Sequence, residues 1–243
     1  MQPVRIAMWS GPRNISTALM RAWENRSDTV VHDEPFYACF LAATNIDHPG
    51  REEIIAADET DWRRVVDRVA YAPLPTGKTI FYQKHMTHHM LDQIDLAWLG
   101  NVTNCFLLRR PQEVINSYIK VRANATLFDI GFAQQQRIFH LVREQTGQIP
   151  PVIDGRDVQE NPRRTLGLLC AAVGVPFDER MLAWPAGPRP SDGVWAKYWY
   201  SAVEASTSFE PYRHKNEPVP DHLRGVLVEA EEIYQELYQY RLG

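Results

Sequence analysis

Four short stretches carry residue types that could do chemistry together. In "SGPRNISTAL" (residues 10–19) an apolar run stops at a Ser-Gly-Pro-Arg turn, and a helix-like pattern follows. A turn from a strand into a helix exposes unpaired N–H groups that, with the helix dipole, favour an anion. The dipole contributes about 0.3–1 kcal/mol, or about 2 kcal/mol when partly buried. Arg13 adds a planar fork that matches phosphate or sulfate oxygens, and Ser16 and Thr17 add hydroxyl donors. The bland alternative is an ordinary turn with Ser16 as a cap and Arg13 solvated. In "FLLRRPQEVINSY" (106–118) an apolar strand delivers Arg109, and Ser117 follows eight residues later. A fixed cation with a hydroxyl donor suits a phosphate, each charge-assisted hydrogen bond contributing about 1.5–3 kcal/mol. Alone, this second stretch reads as an ion-paired arginine and a serine bonded to its own helix. Two such stretches in order, each at a strand's carboxyl end, favour a shared anion site. Arg110 alternates to the other side of the strand and reads as a surface or substrate-side residue.

The other two stretches carry titratable groups. "QKHMTHHM" (83–90) supplies Lys84, His85, His88 and His89, and "HDEPF" (32–36) supplies Asp33 and Glu34. These are the residue types of acid–base work. The histidine spacings also raise a metal site. However, H-x-x-H-H lacks the glutamate of a zinc protease, and no fourth ligand is evident, so no metal is expected. Histidines satisfying backbone groups at a strand end are the structural alternative. Trp184, Trp195, Tyr198, Trp199, Tyr200 and Phe209 could wall a pocket for a small molecule, although core packing is the usual role of such residues.

Elements must bring these groups together. Apolar runs predict strands over 4–9, 27–36, 78–85, 101–110 and 150–158. Helical spacing predicts helices from Ser16, over 60–72, after Pro111, over 161–175 and over 221–240. Residues 43–60 read as mixed and acidic, and 185–218 as a long ordered loop. Alternation of strand and helix predicts a parallel sheet covered on both faces, with ligands at the carboxyl ends of its strands. The chain has 243 residues, and no repeat or linker is visible, so one domain over 1–243 is expected. A net charge of −4 argues against general nucleic-acid or polybasic membrane binding. Three scattered cysteines form no zinc or disulfide pattern, and no leader or apolar span is visible. A cytoplasmic protein is the simplest expectation.

With these residues in view, "SGPRNISTAL" resembles the 5′-phosphosulfate loop of sulfotransferases, Pro-Lys/Arg-Ser-Gly-Ser/Thr-Thr, with Asn14 and Ile15 in place of the usual Ser-Gly. "FLLRRPQEVINSY" is similar to that family's 3′-phosphate motif. "VIDGRDVQENPRRTLGLLCAAVGVPFDERML" (152–182) is similar to its late strand and helix. The resemblance implies a three-layer α/β fold of the P-loop NTPase type, with a central parallel sheet flanked by helices. It implies 3′-phosphoadenosine 5′-phosphosulfate (PAPS) as co-substrate, without metal, and sulfuryl transfer to a hydroxyl or amine of a small-molecule acceptor. Arg13, Asn14, Ile15, Ser16 and Thr17 would hold the 5′ end, and Arg109 and Ser117 the 3′-phosphate. "PSDGVWAKYW" (190–199) resembles a closing loop, with Trp195 as a match and Arg189 and Lys197 as substitute cations. Family members carry Lys-x-His at the third strand's end. Here Lys84 would stabilise the transferring group, and the base would be His85, then His88, with Glu34 as rival because other sulfotransferases use a glutamate. The pattern lies nearest a bacterial-type branch. Two other readings stay open: a module of this fold that binds nucleotide without catalysis, and a P-loop small-molecule kinase with Mg²⁺ on Asp33. A homo-oligomer is possible. The kinase lacks its loop lysine, and "APLPTGKT" (72–79) is a decoy that leads into a strand.

Overall fold

Five apolar runs become β1 (Val4–Ser10), β2 (Thr29–Asp33), β3 (Ile80–Met86), β4 (Thr103–Leu108) and β5 (Val152–Asp154). The computed structural model describes residues 3–243. The strands form one sheet in the order β2-β3-β1-β4-β5, and every pairing is parallel. Because β1 is central, the turn that follows it is flanked by the ends of β3 and β4.

Side-chain alternation divides the core into two layers. Ile6, Met8, Tyr82, Cys105, Leu107 and Ile153 pack on one face, beneath α1 (Ser16–Glu24) and α8 (Pro162–Ala172). Ala7, Trp9, Phe106, Leu108 and Val152 pack on the other. That second face lies beneath α4 (Trp62–Val66), α5 (Pro111–Tyr118), α6 (Phe132–Thr146) and α11 (Arg224–Tyr238). Two covered faces make the three-layer architecture that the alternating pattern predicts.

Several elements differ from the sequence expectation. The fifth strand stops at Asp154, whose carboxylate accepts from the Arg156 amide at 2.8 Å and caps α7 (Gly155–Glu160). Residues 43–60 contain α3 (Arg51–Ala57), and α2 (Tyr37–Ala43) follows directly on the end of β2. The long loop carries two single-turn helices, α9 (Ala196–Trp199) and α10 (Ser201–Glu204). Helix α6 has no clean apolar period because Gln134 and Gln135 sit on its buried face. Gln135 donates to the carbonyls of Trp9 and Leu107, at 3.2 and 3.0 Å, and so replaces packing with hydrogen bonds at the ends of β1 and β4.

The turn after β1 is wedged against the start of α6. A Cβ on Gly11 would meet the Ile130 carbonyl oxygen at 2.4 Å. Gly131 has φ +76°, and a Cβ there would meet Thr87 Oγ1 at 2.5 Å, the hydroxyl that donates to the Gly131 carbonyl. Gly131→Ala is therefore expected to lower stability by about 1–3 kcal/mol, measured by urea denaturation. An unchanged midpoint would mean this junction does not hold the turn.

Candidate active site

The carboxyl ends of β1, β2, β3 and β4 open into a cleft of about 420 Å³. At its base the chain turns from Gly11 into α1. Arg13 takes φ 59°, a left-handed conformation that non-glycine residues rarely adopt. Ile15 takes φ −86° and ψ 21°. The conformational freedom that glycine supplies is thus not needed at Ile15, and the strain falls on Arg13. Asn14 clamps the turn: its Nδ2 donates to the Leu107 carbonyl at 3.2 Å and its Oδ1 accepts from the Ile15 amide at 2.8 Å. No side chain caps α1, whose first residues, Ser16 and Thr17, line the cleft.

Arg13 Nε donates to Ser117 Oγ at 3.0 Å. Arg109 donates through Nε to Glu113 Oε2 at 3.1 Å and through Nη1 to the Arg13 carbonyl. Two guanidinium groups therefore stand against each other, and only Arg109 has a carboxylate partner among the described residues. Burial and the neighbouring Arg109 both push the Arg13 pKa down. Two cations thus share one carboxylate, and an anionic ligand would supply the missing counter-charge. Arg110 turns away and meets His214 at 3.2 Å on the surface, as alternation requires.

Opposite stands a buried charged cluster. Lys84 Nζ donates to Asp33 Oδ1 at 2.8 Å, Glu34 Oε1 at 2.5 Å and Tyr200 Oη at 2.8 Å. Tyr200 donates in turn to Asp33 Oδ2 at 2.6 Å. All three ammonium protons are thus spent. Burial alone would lower Lys84, but the Asp33 and Glu34 carboxylates overcome it and hold the pKa well above the usual value. Burial raises Glu34 against the pull of Lys84. Glu34 takes φ 42°, a second left-handed residue. Its amide donates to the Lys84 carbonyl and its carbonyl accepts from the Tyr37 amide, both at 2.9 Å. Both Asp33 oxygens are engaged by Lys84 and Tyr200.

The cleft gathers Arg13, Asn14, Ile15, Ser16, Thr17, Glu34, Lys84, His88, Arg109 and Ser117. It does not gather His85, Arg189, Trp195 or Lys197. His85 follows Lys84, so alternation sends it through the sheet, where it stacks on Trp9 at 4.4 Å and pairs with Gln83 at 3.0 Å. His88 lies on the 3₁₀ turn 87–89 beyond β3, returns to the cleft wall, and is pushed down to about 4 by burial. Arg189 bonds the Pro185 carbonyl, and Lys197 pairs with Glu53 on the surface. Trp195 is buried, with Nε1 directed to Tyr200 Oη at 3.3 Å. These four are corrections to the sequence expectation, and each turns on side-chain direction, which a one-dimensional motif does not contain. Sequence reasoning missed Asp33 and Tyr200 as partners of Lys84. The only available signal was that a buried lysine at a strand end needs carboxylates nearby.

A parallel sheet whose central strand turns directly into a helix at the cleft defines an α/β protein of the P-loop type. The chain belongs to the sulfotransferase domain family, whose pattern matches residues 4–240. It resembles in fold the sulfotransferase domain of the curacin biosynthetic pathway, with TM-score 0.54, 17% identity and 99% of both chains covered. The sulfotransferase domain of the Synechococcus PCC 7002 olefin synthase gives TM-score 0.58 and 14% identity over 100% of this chain and 98% of that one. A sulfotransferase from Alicyclobacillus acidocaldarius gives 0.53 and 12%, again over 100% and 98%. Two Arabidopsis thaliana proteins named branched-chain-amino-acid aminotransferase-like proteins 1 and 2 are 38% and 34% identical over 86% and 84% of this chain. The chain spans only 37% and 36% of their lengths. No helix among the described residues is long and apolar enough to cross a membrane.

Burial makes stability pH-dependent. His32, His85, His88 and His89 all have pKa values lowered in the folded protein, by burial first. The unfolded chain then binds more protons below its ordinary histidine pKa of about 6.5, so stability falls as pH falls through that value. Glu34 and Asp154, both raised by burial, work in the opposite direction. His85→Gln removes one such proton and is expected to flatten the loss between pH 6 and 5 by up to about 1.4 kcal/mol per pH unit. Urea denaturation at pH 7, 6 and 5 measures it; an identical slope in wild type and variant would show that His85 takes up its proton in the folded state as it does in the unfolded chain.

Proposed function

We propose that this domain is a PAPS-dependent sulfotransferase acting on a hydroxyl or amine of a small-molecule acceptor. One observation carries the reading: at one rim Arg109 donates to the Arg13 carbonyl and Arg13 to the Ser117 hydroxyl, and Arg13 has no carboxylate partner among the described residues. That set fits a doubly phosphorylated nucleotide better than ATP–Mg²⁺, because it offers a second cation with a hydroxyl donor beside the first. Arg13, Ser16, Thr17 and the α1 amides would hold the 5′-phosphosulfate, with Asn14 and Ile15 shaping the turn. Arg109 and Ser117 would hold the 3′-phosphate. PAPS, when bound, supplies the activated sulfuryl group.

The chain's own part is proton removal and positioning. Glu34 faces the cleft, and the buried site raises its pKa toward the range useful for a base at neutral pH. Lys84 is the positioning residue, orienting the Glu34 carboxylate from beneath. His88, neutral and on the cleft wall, is the second candidate to accept a proton. Arg13, at the phosphosulfate end, is the cation best placed to stabilise charge on a departing phosphate.

A thermal-shift comparison of adenosine 3′,5′-bisphosphate with ATP–Mg²⁺ tests the nucleotide. At about 100 times its dissociation constant a ligand stabilises by about 2.7 kcal/mol. The bisphosphate should give that shift, ATP–Mg²⁺ a smaller one, and Arg109→Ala should lose it. A larger shift with ATP–Mg²⁺ would favour the kinase reading and overturn this one.

Glu34→Gln should lower kcat for sulfate transfer from PAPS by about 10²–10⁴-fold. In the wild type the acid limb of the kcat/KM profile should lie above the usual glutamate range, and in the variant it should vanish. Retention of that limb would overturn the assignment of the base to Glu34.

A further inference from the structure

We infer that the acceptor is a small carboxylic acid with a flat apolar body, its carboxylate held by Arg122 at the cleft mouth. This rests on the sulfuryl-transfer reading of the cleft and adds the acceptor's class to it. Three segments build this part of the wall: α2 with the loop to Gly50, the segment after α5, and α9 with α10. Tyr37, Phe40, Tyr118, Val121, Phe128 and Trp199 supply its apolar surface. They are tied together: Tyr37 meets the His48 ring edge-on at 5.3 Å, and Trp199 lies 5.5 Å from the same ring. Val121 and Phe128 remain 51% and 42% exposed at the rim. Two large apolar side chains left open beside an aromatic wall call for an apolar ligand body.

Arg122 adds the charge. It lines the cleft, donates to the Asp47 carbonyl at 2.6 Å, and has no carboxylate within the 4.0 Å ion-pair distance among the described residues. That bond bridges the two loops of the mouth, the Tyr118 hydroxyl also lies against Arg122, and the rest of the guanidinium fork is unspent. The fork's geometry suits a carboxylate. A carboxylate on the same wall, Asp129, would instead favour an amine. Its Oδ2, however, already accepts from the Thr126 amide and hydroxyl at 2.9 and 2.6 Å. Those two bonds fix the Asp129 carboxylate within its own turn, whereas the Arg122 fork keeps donors for a ligand. His48 does not compete for the ligand's carboxylate: its Nδ1 lies 3.0 Å from the Pro49 carbonyl, and its Nε2 accepts from Tyr37 Oη at 2.5 Å.

Three phenols that share one body test this: 3-(4-hydroxyphenyl)propanoate, 4-ethylphenol and tyramine. Calorimetric titration of the protein saturated with adenosine 3′,5′-bisphosphate should show the acid binding at least tenfold tighter than 4-ethylphenol, and tyramine no tighter than 4-ethylphenol. In Arg122→Ala the acid should fall to the level of 4-ethylphenol, whose own affinity should change less than twofold. Equal affinities, a preference for tyramine, binding of none of the three, or an acid preference that survives Arg122→Ala would each overturn the inference. If the bisphosphate itself fails to bind, the nucleotide reading falls. The same ranking taken without nucleotide then still decides the role of Arg122.

Discussion

The lysine at the end of the third strand is the interaction on which this rim of the sheet depends. Lys84 is almost completely buried, and a bare ammonium there would cost several kcal/mol in desolvation. It is tolerated because Asp33 at the end of β2, Glu34 just after it and Tyr200 between α9 and α10 take all three of its protons. One side chain thereby joins two neighbouring strands to a segment 116 residues away. Removing it would leave two carboxylates side by side in a buried site. The cluster carries one more negative than positive charge, and that excess sits at the edge of the cleft on Glu34.

The opposite rim has the reverse imbalance. Arg13 and Arg109 bring two positive charges together against one buried carboxylate, Glu113, which is itself held by the Tyr212 hydroxyl at 2.6 Å. The two imbalances face each other across the same opening. They share a backbone device, since Arg13 and Glu34 are the two non-glycine residues with positive φ among the described residues. Each such conformation costs on the order of 1–3 kcal/mol and persists only where its surroundings hold it. Asn14 and Arg109 hold the first, and Lys84 with the start of α2 holds the second. Strain and unbalanced charge therefore coincide at the two strand ends, where a binding site in a parallel sheet is expected.

Selectivity for the rest of a ligand falls to segments outside the sheet. The loop before α3, the segment after α5 and the α9–α10 turns contribute mostly apolar side chains, and none is an element that the sheet requires. The family match at residues 4–240 covers these segments together with the sheet. The solved relatives, at 12–17% identity, share the fold alone. Such loops can vary while the strand ends stay in place.

Much of this was legible in one dimension. Apolar runs bounded by turns located all five strands, because a strand buried on both faces must be apolar throughout. The eight-residue step from Arg109 to Ser117 placed both on the rim that also holds Arg13, since a strand end and two turns of helix leave little freedom. The family and the three-layer fold followed from those motifs. Side-chain direction beyond the strands was not legible. Lys84 and His85 are adjacent in sequence but lie on opposite faces of the sheet, and Trp195, Arg189 and Lys197 sit in a segment with no periodicity to orient them. Helix α6 hid behind glutamines whose partners are backbone carbonyls of distant strands. The sequence by itself determined which residues could carry charge to the rim, because strand and helix periods are local properties. Only the tertiary structure decided which charges would be neutralised and which left open, because that depends on contacts such as Tyr200 to Lys84 that no local pattern encodes.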